Sequence, residues 1–412
     1  MIIMRIAFRN IFRQQRRSLF TALSMIIGFI LLAVSFGFGE GGYGHIIEMF
    51  THSSTGHIQI HSPGYLERPN LYKNFQYTRQ LQTLLKNIPQ IQAQAPRIHC
   101  GTLAFIDKKT TATRLTGVAP LKEKQLSTLA DKVGQGQFLD ITPAEAPHNQ
   151  IIIGNGLARI LKASIGSDIA LVSQGADGSI ANDLFKVVGI LKKEVDGTNR
   201  NNAYIHIYKA QEFLAMGSNI HEVAVILTSH KKSRQITKTI KKQLKQANLT
   251  EYEVHPWEKI EELFYRSMSA DKKGNWIFLF IIGLIVALGV LNTVLMSILE
   301  RTREFGVMRA VGTRPSHIFL QIVLETLGLS FMATTVGALC AGPILWPFVI
   351  YGIPMEQPIT IGGIEISTFK AGFVPGAFII PFLVIVITAT LVSVFPAIHA
   401  SRVKPVDAMK TH

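Results

Sequence analysis

With 412 residues, 48% of them hydrophobic and only 17% charged, the chain falls well below the roughly 25% charge of a soluble globular protein. It therefore needs membrane spans or an outsized core. The formal net charge of +15 raises nucleic acid as a partner, so where that charge sits matters more than its size.

Residues 1–17 carry Arg5, Arg9, Arg13, Arg16 and Arg17 and no acid. Steps of four place the arginines near one helical face, with Ile2, Ile6, Phe8, Ile11 and Phe12 mostly elsewhere around it. Two readings stand: a cytoplasmic amphipathic segment lying on the inner surface, or a plain positive anchor. An apolar run of about 20 residues crosses a bilayer as a helix. Four qualify: Leu19–Phe38 (span 18–39), Trp276–Ile298 (span 274–299), Ile318–Ile350 (span 317–350, interrupted late by Pro343 and Pro347) and Phe373–Phe395 (span 373–395, with Pro375 and Pro381 near its start). Trp276, Trp346 and Tyr351 fit an interfacial aromatic belt. Ala33-Val34-Ser35 resembles a signal-peptidase site, but the apolar run continues to Phe38, so an uncleaved anchor is expected.

Short-loop Lys and Arg set orientation. Arg301, Arg303, Arg309 and Arg314 follow the second span, and Arg402, Lys404 and Lys410 follow the fourth. The loop 351–372 carries only Lys370. Both termini, the segment 300–316 and the tail 396–412 are expected inside, and residues 40–273 outside. That long insertion holds 29 Lys and Arg against 21 Asp and Glu, spread along its length, so it supplies +8 of the net charge. Facing away from the cytoplasm, it argues against nucleic acid as a partner.

Within the insertion, GHIQIH (56–61) alternates as a half-buried strand does. NQIIIGNGLARIL reads as strand, turn and helix. LFKVVGIL, NAYIHIY and VAVILT read as strands, Lys231–Gln246 as a basic helix, and Pro256-Trp257 as the start of a helix through Met268. The predicted fold class is membrane α-helical, four transmembrane helices with a large mixed α+β extracytoplasmic domain. His45, His52, His57 and His61 invite a metal. On a strand, however, His57 and His61 stand about 13 Å apart, too far for one ion, so no metal site is expected. Cys100 and Cys340 lie in unlike surroundings without metal-ligand spacing, so no disulfide is expected.

No phosphate-cradling loop, GxSxG elbow or HExxH is present, so the chain is not expected to be an enzyme or to bind a cofactor directly. Glu325 lies in the third span near its cytoplasmic end, placed either for functional coupling or for pairing with a loop arginine. Asn292 and Thr293 suit hydrogen bonding to a neighbouring helix, and Gly337-x-x-x-Ala341 suits close packing. The strongest signal is Leu299–Ser316, LERTREFGVMRAVGTRPS. Val307, Met308 and Val311 form an apolar strip, Arg301, Arg303, Glu304 and Arg309 supply charge, Gly312 stops the helix and Pro315 restarts it.

At this segment the chain resembles the MacB/FtsX-type (type VII) ABC transporter permeases, and within them the LolC/LolE lipoprotein-releasing branch. The closing PAIHASRVKPVDAMK is similar to that family's C-terminal pattern at Pro396, Ala400, Pro405 and Ala408, and NQIIIGNGLARIL…IGSDIALVS…LFKVVGIL resembles its external domain. The resemblance implies an ATPase-coupling helix at 300–316 and a bacterial inner-membrane location. It implies a dimer with a second permease copy or paralogue, set in membrane lipid on two ABC ATPase subunits that hold ATP and Mg. It further implies a lipoprotein or other periplasmic partner as cargo. Ser173–Asp183, SQGADGSIAND, departs from carrier-receiving members: it is short and holds no proline or aromatic residue, which argues against direct hand-over to a carrier. An FtsX-like signalling scaffold and a MacB-like peptide or drug extruder are the alternatives.

Overall fold

The computed structural model describes residues 15–140, 149–192, 201–361 and 364–403. Most of the 1–17 segment, and Pro405 and Ala408 of the closing motif, lie outside the described residues. The chain divides into two units, one of residues 1–45, 268–353 and 369–412, the other of 46–267 and 354–368.

The helical unit is built on four helices long and apolar enough to cross a membrane. Helix α1 (Gln15–Phe36) passes through a π-helical turn, Gly37–Gly42, into α2 (Tyr43–Phe50) and a second π-helical turn, Thr51–Thr55. The helix therefore does not stop near residue 39. No proline intervenes, and Gly56, at φ +70°, is where it ends. Met25, Phe29, Leu32, Ala33 and Phe36 recur at helical spacing along α1. They pack against Leu279, Ile282, Val286, Val290, Ala333, Ala341, Ala377, Ile385 and Ala389 of the other spanning helices.

In the α+β domain follow β1 (Ile58–His61), β2 (Phe75–Gln76), α3 (Arg79–Lys86), β3 (Ile91–Ile106), β4 (Lys109–Val118), α4 (Pro120–Leu126) and β5 (Val133–Gly136). Next come β6 (Gln150–Ile153), α5 (Asn155–Leu161), β7 (Asp168–Gln174), β8 (Ile180–Leu191), β9 (Asn202–His206) and α6 (Ile207–Phe213). The domain continues with β10 (Asn219–Ile220), β11 (Glu222–Leu227), α7 (Ser233–Gln246), β12 (Glu253–Pro256) and α8 (Trp257–Ile260). Ten strands share one sheet, ordered β12-β1-β11-β3-β4-β9-β6-β8-β5. Strand β7 pairs with both β3 and β8, so the path β3-β4-β9-β6-β8-β7 returns to its start as a closed ring. Its inward residues, among them Leu115, Ile151, Ile153, Leu171, Phe185 and Ile205, fill one core.

Two expectations need correction. Strand β1 is not half-buried. It lies between β11 and β12, so His57, Gln59 and His61 are buried along with Ile58 and Ile60. Nor does the helix opened at Trp257 lead on unbroken. It stops at Glu261, and α9 (Glu262–Glu300) then runs 39 residues as one helix.

After α9 come α10 (Thr302–Ala310), α11 (Pro315–Ile350), the hairpin strands β13 (Ile353–Ile361) and β14 (Ile364–Phe369), and α12 (Pro375–Ser401). Pro343 and Pro347 do not interrupt α11, because neighbouring helices and local adjustment re-satisfy the carbonyls a proline frees. Both cysteines are free.

Gly337 of α11 lies flush against Phe29 of α1, where an added Cβ would stand 3.0 Å from the Phe29 Cβ. Gly337→Leu should wedge the two helices apart at a cost of about 1–3 kcal/mol. Gly337→Ala should cost far less, and thermal unfolding of the detergent-solubilised chain measures both. Equal melting temperatures for Gly337→Leu and the parent would show that this contact is not tight.

Candidate coupling helix and domain root

The turn between α9 and α11 is built around one anchor. Phe305 is buried against Ile298, Ile318, Ile322, Ala397 and Ala400. Arg301 breaks the helical path, and its guanidinium lies 5.2 Å from the Phe305 ring centre. Arg301 donates to Glu304 at 3.2 Å and to Glu325 at 3.2 Å. Glu325 is thus placed for the local pairing, not left bare in the span. At the other end, Gly312 has φ +97°, the left-handed conformation that closes a helix, and the Thr313 amide donates to the Met308 carbonyl. Pro315 then occupies the first turn of α11, where its missing N–H costs nothing.

With Phe305 and Gly306 turned inward, Arg303, Glu304, Val307, Ala310, Val311 and Arg314 are left exposed. Arg303, Glu304, Val307 and Ala310 share one face of α10, and Val311 and Arg314 follow its end. Val311 is 83% exposed and Val307 49%. Met308, expected on the same strip, packs partly into the Phe305 cluster. Arg309 donates to the Thr313 carbonyl, and its Nε is buried without a partner among the described residues. Behind this turn a cavity of about 50 Å³ is lined by Ser18, Thr293, Ser297, Arg301, Phe305 and Glu325.

The four remaining span residues separate. Thr293 accepts from Thr21 of α1 at 2.8 Å and donates to the Gly289 carbonyl. Gly337 meets Phe29, and Ala341 is fully buried. Asn292 is exposed and makes no hydrogen bond among the described residues.

A second constellation, of which the sequence singled out His52 and His57 but not Glu48 or His230, sits where residues 46–61 enter the α+β domain. Glu48 receives three imidazoles: His230 Nδ1 at 2.7 Å from Oε1, His52 Nδ1 at 3.1 Å from Oε2, and His57 Nε2 at 3.7 Å from Oε2. Ligand atoms of Glu48, His52 and His57 lie within 4.8 Å of one another, the spacing of a metal site. The tautomer decides otherwise. The Leu227 amide donates to His57 Nδ1 at 2.9 Å, so the neutral ring carries its proton on Nε2 and has no lone pair there for a metal. The group acts as a carboxylate receiving N–H donors from His52 and His230, with His57 Nε2 nearby but without a hydrogen bond. His57 and His61 stand in separate clusters, each on its own carboxylate.

Six residues after Glu48, the Ser54 carbonyl accepts from the Arg97 guanidinium. Arg97 is buried and also binds Glu123 of α4 through two nitrogens, at 2.6 and 3.1 Å, and Glu222 of β11 at 3.4 Å. Burial opposes the Arg97 charge, but the two carboxylates outweigh it. Glu222 shows the same balance. Burial pushes its carboxyl up, whereas His61, His99 and Arg97 hold it well below the usual range. Around it, His61, Tyr65 and His221 stack at 5.0 and 5.6 Å between ring centres. Burial lowers His221 to about 4 and also lowers His57.

The family model described as a MacB-like periplasmic core domain matches residues 18–243, more than half of the chain, and that of the FtsX-like permease C-terminal matches 276–405. The chain belongs to the MacB/FtsX-type permeases. The lipoprotein-releasing system transmembrane protein LolC of Neisseria meningitidis serogroup B (strain ATCC BAA-335 / MC58) is 20% identical over 399 residues, covering 94% of this permease and 92% of LolC. The macrolide export ATP-binding/permease protein MacB of Campylobacter jejuni serotype O:2 (strain ATCC 700819 / NCTC 11168) is 24% identical over 426 residues, covering 98% of this permease. The permease spans 60% of that MacB. The solved periplasmic region of MacB from Actinobacillus actinomycetemcomitans covers 54% of the permease at 15% identity, with a TM-score of 0.38.

Two outcomes follow for the permease's domain root. Arg97→Leu strands Glu123 and Glu222 as buried carboxylates, which should cost about 3–5 kcal/mol. Thermal unfolding should register a large loss, partly recovered by adding Glu123→Gln. A loss no larger than that of a surface substitution would show the guanidinium to be dispensable. The second outcome concerns pH. His221 titrates near 4 in the fold against 6.5 unfolded, so between those values the unfolded chain binds more protons. Stability at this position therefore rises with pH across that window and is lost on acidification. His221→Gln should flatten the dependence, and an unchanged pH profile would exclude His221 as its source.

Proposed function

We propose that this permease is the membrane subunit of an ABC transporter of the bacterial inner membrane, coupled to a separate ATPase through α10. Two copies, or one copy and a paralogue, sit on two ATPase subunits that hold ATP and Mg. Residues 40–273 face outward and the 300–316 turn inward. Supporting this are the arginine-rich turn and tail against a loop bearing a single lysine. The observation that carries the coupling role is the exposed strip Arg303, Glu304, Val307 and Ala310 on a nine-residue helix fixed from behind by Phe305, with Val311 and Arg314 exposed just beyond its end. Two bare valines between opposite charges suit a groove with an apolar floor and a charged rim. ATP-driven closure of the ATPases would move α10, and that displacement would reach the outer domain. Work is then done on a lipoprotein or other envelope cargo.

A second reading, in which the external domain drives a signalling or regulatory partner, is favoured by the β7–β8 hairpin. Only residues 175–179 separate its last paired residues, Gln174 and Ile180, and the Ala176 amide donates to the Leu214 carbonyl at 2.7 Å. The tip is tied back to the domain and offers no free arm to a carrier.

Val307→Asp and Val311→Asp should leave insertion intact and abolish association with the ATPase, because each buries an unpaired carboxylate at the docked face, a cost of several kcal/mol. Met308→Asp is a poorer test, since Met308 also packs on its own chain. Pull-down of the ATPase and the hydrolysis it supports measure the effect, with Gln235→Asp on α7 as control. Normal assembly and transport by Val307→Asp would reduce α10 to an ordinary basic turn. A reporter fused near Lys122 that faced the cytoplasm would overturn the orientation.

A further inference from the structure

Two of the imidazoles around Glu48 receive a second proton in opposite ways. His52 Nδ1 stands 3.1 Å from the Glu48 carboxylate and 3.0 Å from the Glu48 carbonyl, so it carries a proton in either charge state. The ring is only half-buried, which leaves Nε2 free to take a second proton from solvent. Once charged, the ring holds the carboxylate more strongly than the neutral ring does. His230 presents Nδ1 to the other carboxylate oxygen at 2.7 Å, in the same sense.

His57 has no such freedom. It is fully buried. Its amide donates to the Val225 carbonyl at 2.8 Å and its carbonyl accepts from the Trp257 amide at 3.0 Å, which pins the backbone on both sides. Nδ1 accepts from the Leu227 amide, and Nε2, which carries the proton, has no partner among the described residues. A second proton has only Nδ1 to go to. There it meets the Leu227 N–H, donor against donor. The charged and titratable groups facing the ring are Glu48, His52 and His230, the two imidazoles at 5.3 and 6.3 Å between ring centres. With all three rings charged, three cations would face one carboxylate.

We propose that the Glu48 group is a proton-dependent fastener that holds residues 46–57 to the α+β domain most firmly within a window of pH, with His52 setting the alkaline edge and His57 the acid edge. Each ring has its own sign. The bond to Glu48 raises His52 above its ordinary 6.5, so the fastened segment binds that proton more readily than the loosened one. This contribution is complete below 6.5 and lost as pH rises through the raised value. Burial lowers His57 below 6.5, so the fastened segment binds that proton less readily. This contribution is complete above 6.5 and lost as pH falls through the lowered value. Phe50 on Trp257 and the Arg97 bond to the Ser54 carbonyl do not titrate in this range, so outside the window the segment loosens without leaving the domain. With the domain facing outward as proposed above, the firmness of its first attachment would follow the pH outside the cytoplasm.

The test is hydrogen exchange of the full-length chain in detergent, read by mass spectrometry on peptides covering 46–57 and corrected for the intrinsic rate at each pH. Opening of this segment should be least near pH 6.5 and rise several-fold towards about pH 5 and about pH 8. Peptides covering 150–161 should show no such minimum. His52→Gln cannot be charged and should flatten the alkaline limb alone. His57→Asn keeps an acceptor for the Leu227 amide but cannot be charged, so it should flatten the acid limb alone. Glu48→Gln should remove the alkaline limb and move the acid limb to higher pH, because no carboxylate then offsets the charged rings. If His57→Asn opens freely at every pH, the Glu48→Gln profile decides. A parent profile that is flat, or that rises on one side only, overturns the proposal. So does a Glu48→Gln profile identical to the parent. Protection that collapses when a chelator is added at pH 6.5 would make the group a metal site and overturn it as well.

Discussion

The α+β domain depends on one buried cation. Arg97 lies at the point on β3 where the partner strand changes: residues before it pair with β11, residues after it with β4, and Arg97 itself stands opposite both Glu222 and Val118. Its guanidinium is buried with two carboxylates and the Ser54 carbonyl. Ion pairs of this kind contribute little net stability against an apolar replacement, because desolvation offsets most of the attraction. What they provide is specificity of arrangement. The terminal turn of the first helix, α4, β3 and β11 must all be in place before the charges are satisfied, so a partly assembled domain leaves a charge bare.

The same economy appears at Glu48. His52, His57 and His230 come from a helical turn, a strand start and the segment before α7, and all three present nitrogen to one carboxylate. The Leu227 amide fixes the His57 tautomer, and with it the direction of the contact. Together with Phe50, which packs on Trp257 and Phe264, these contacts fasten residues 46–55 to the domain through apolar and polar groups at once.

At the turn between α9 and α11 the logic is reversed. Phe305 fixes α10 to its own chain, and Arg303, Glu304, Val307 and Ala310 are left exposed. Arg301 serves the anchor and the spans together, binding Glu304 and Glu325 while lying over the Phe305 ring. Glu325 is thereby held in the lipid-facing region without an unpaired charge, so its presence in the third span has a structural cause.

The four spans, the α+β class of the insertion and the family were legible in the sequence. A helix in lipid must satisfy its backbone internally and show apolar residues for about 20 positions, and Gly312 and Pro315 mark the ends of a turn by their own backbone restrictions. Strands β6, β8, β9 and β11 were also legible, since their apolar runs are bounded by turn residues. What the sequence left open was every property set by partners distant in the chain. GHIQIH alternates like a half-exposed strand, and only β11 and β12 on its two sides make it fully buried. Val307, Met308 and Phe305 are equally apolar as letters, and Ile318, Ala397 and Ala400 decide which of them turns inward. Neither Arg97 nor Glu48 carries a local signature. A buried charge is tolerated only where tertiary contacts bring its counter-charges, and those lie 26 and 125 residues along the chain for Arg97 and 182 for the farthest imidazole on Glu48.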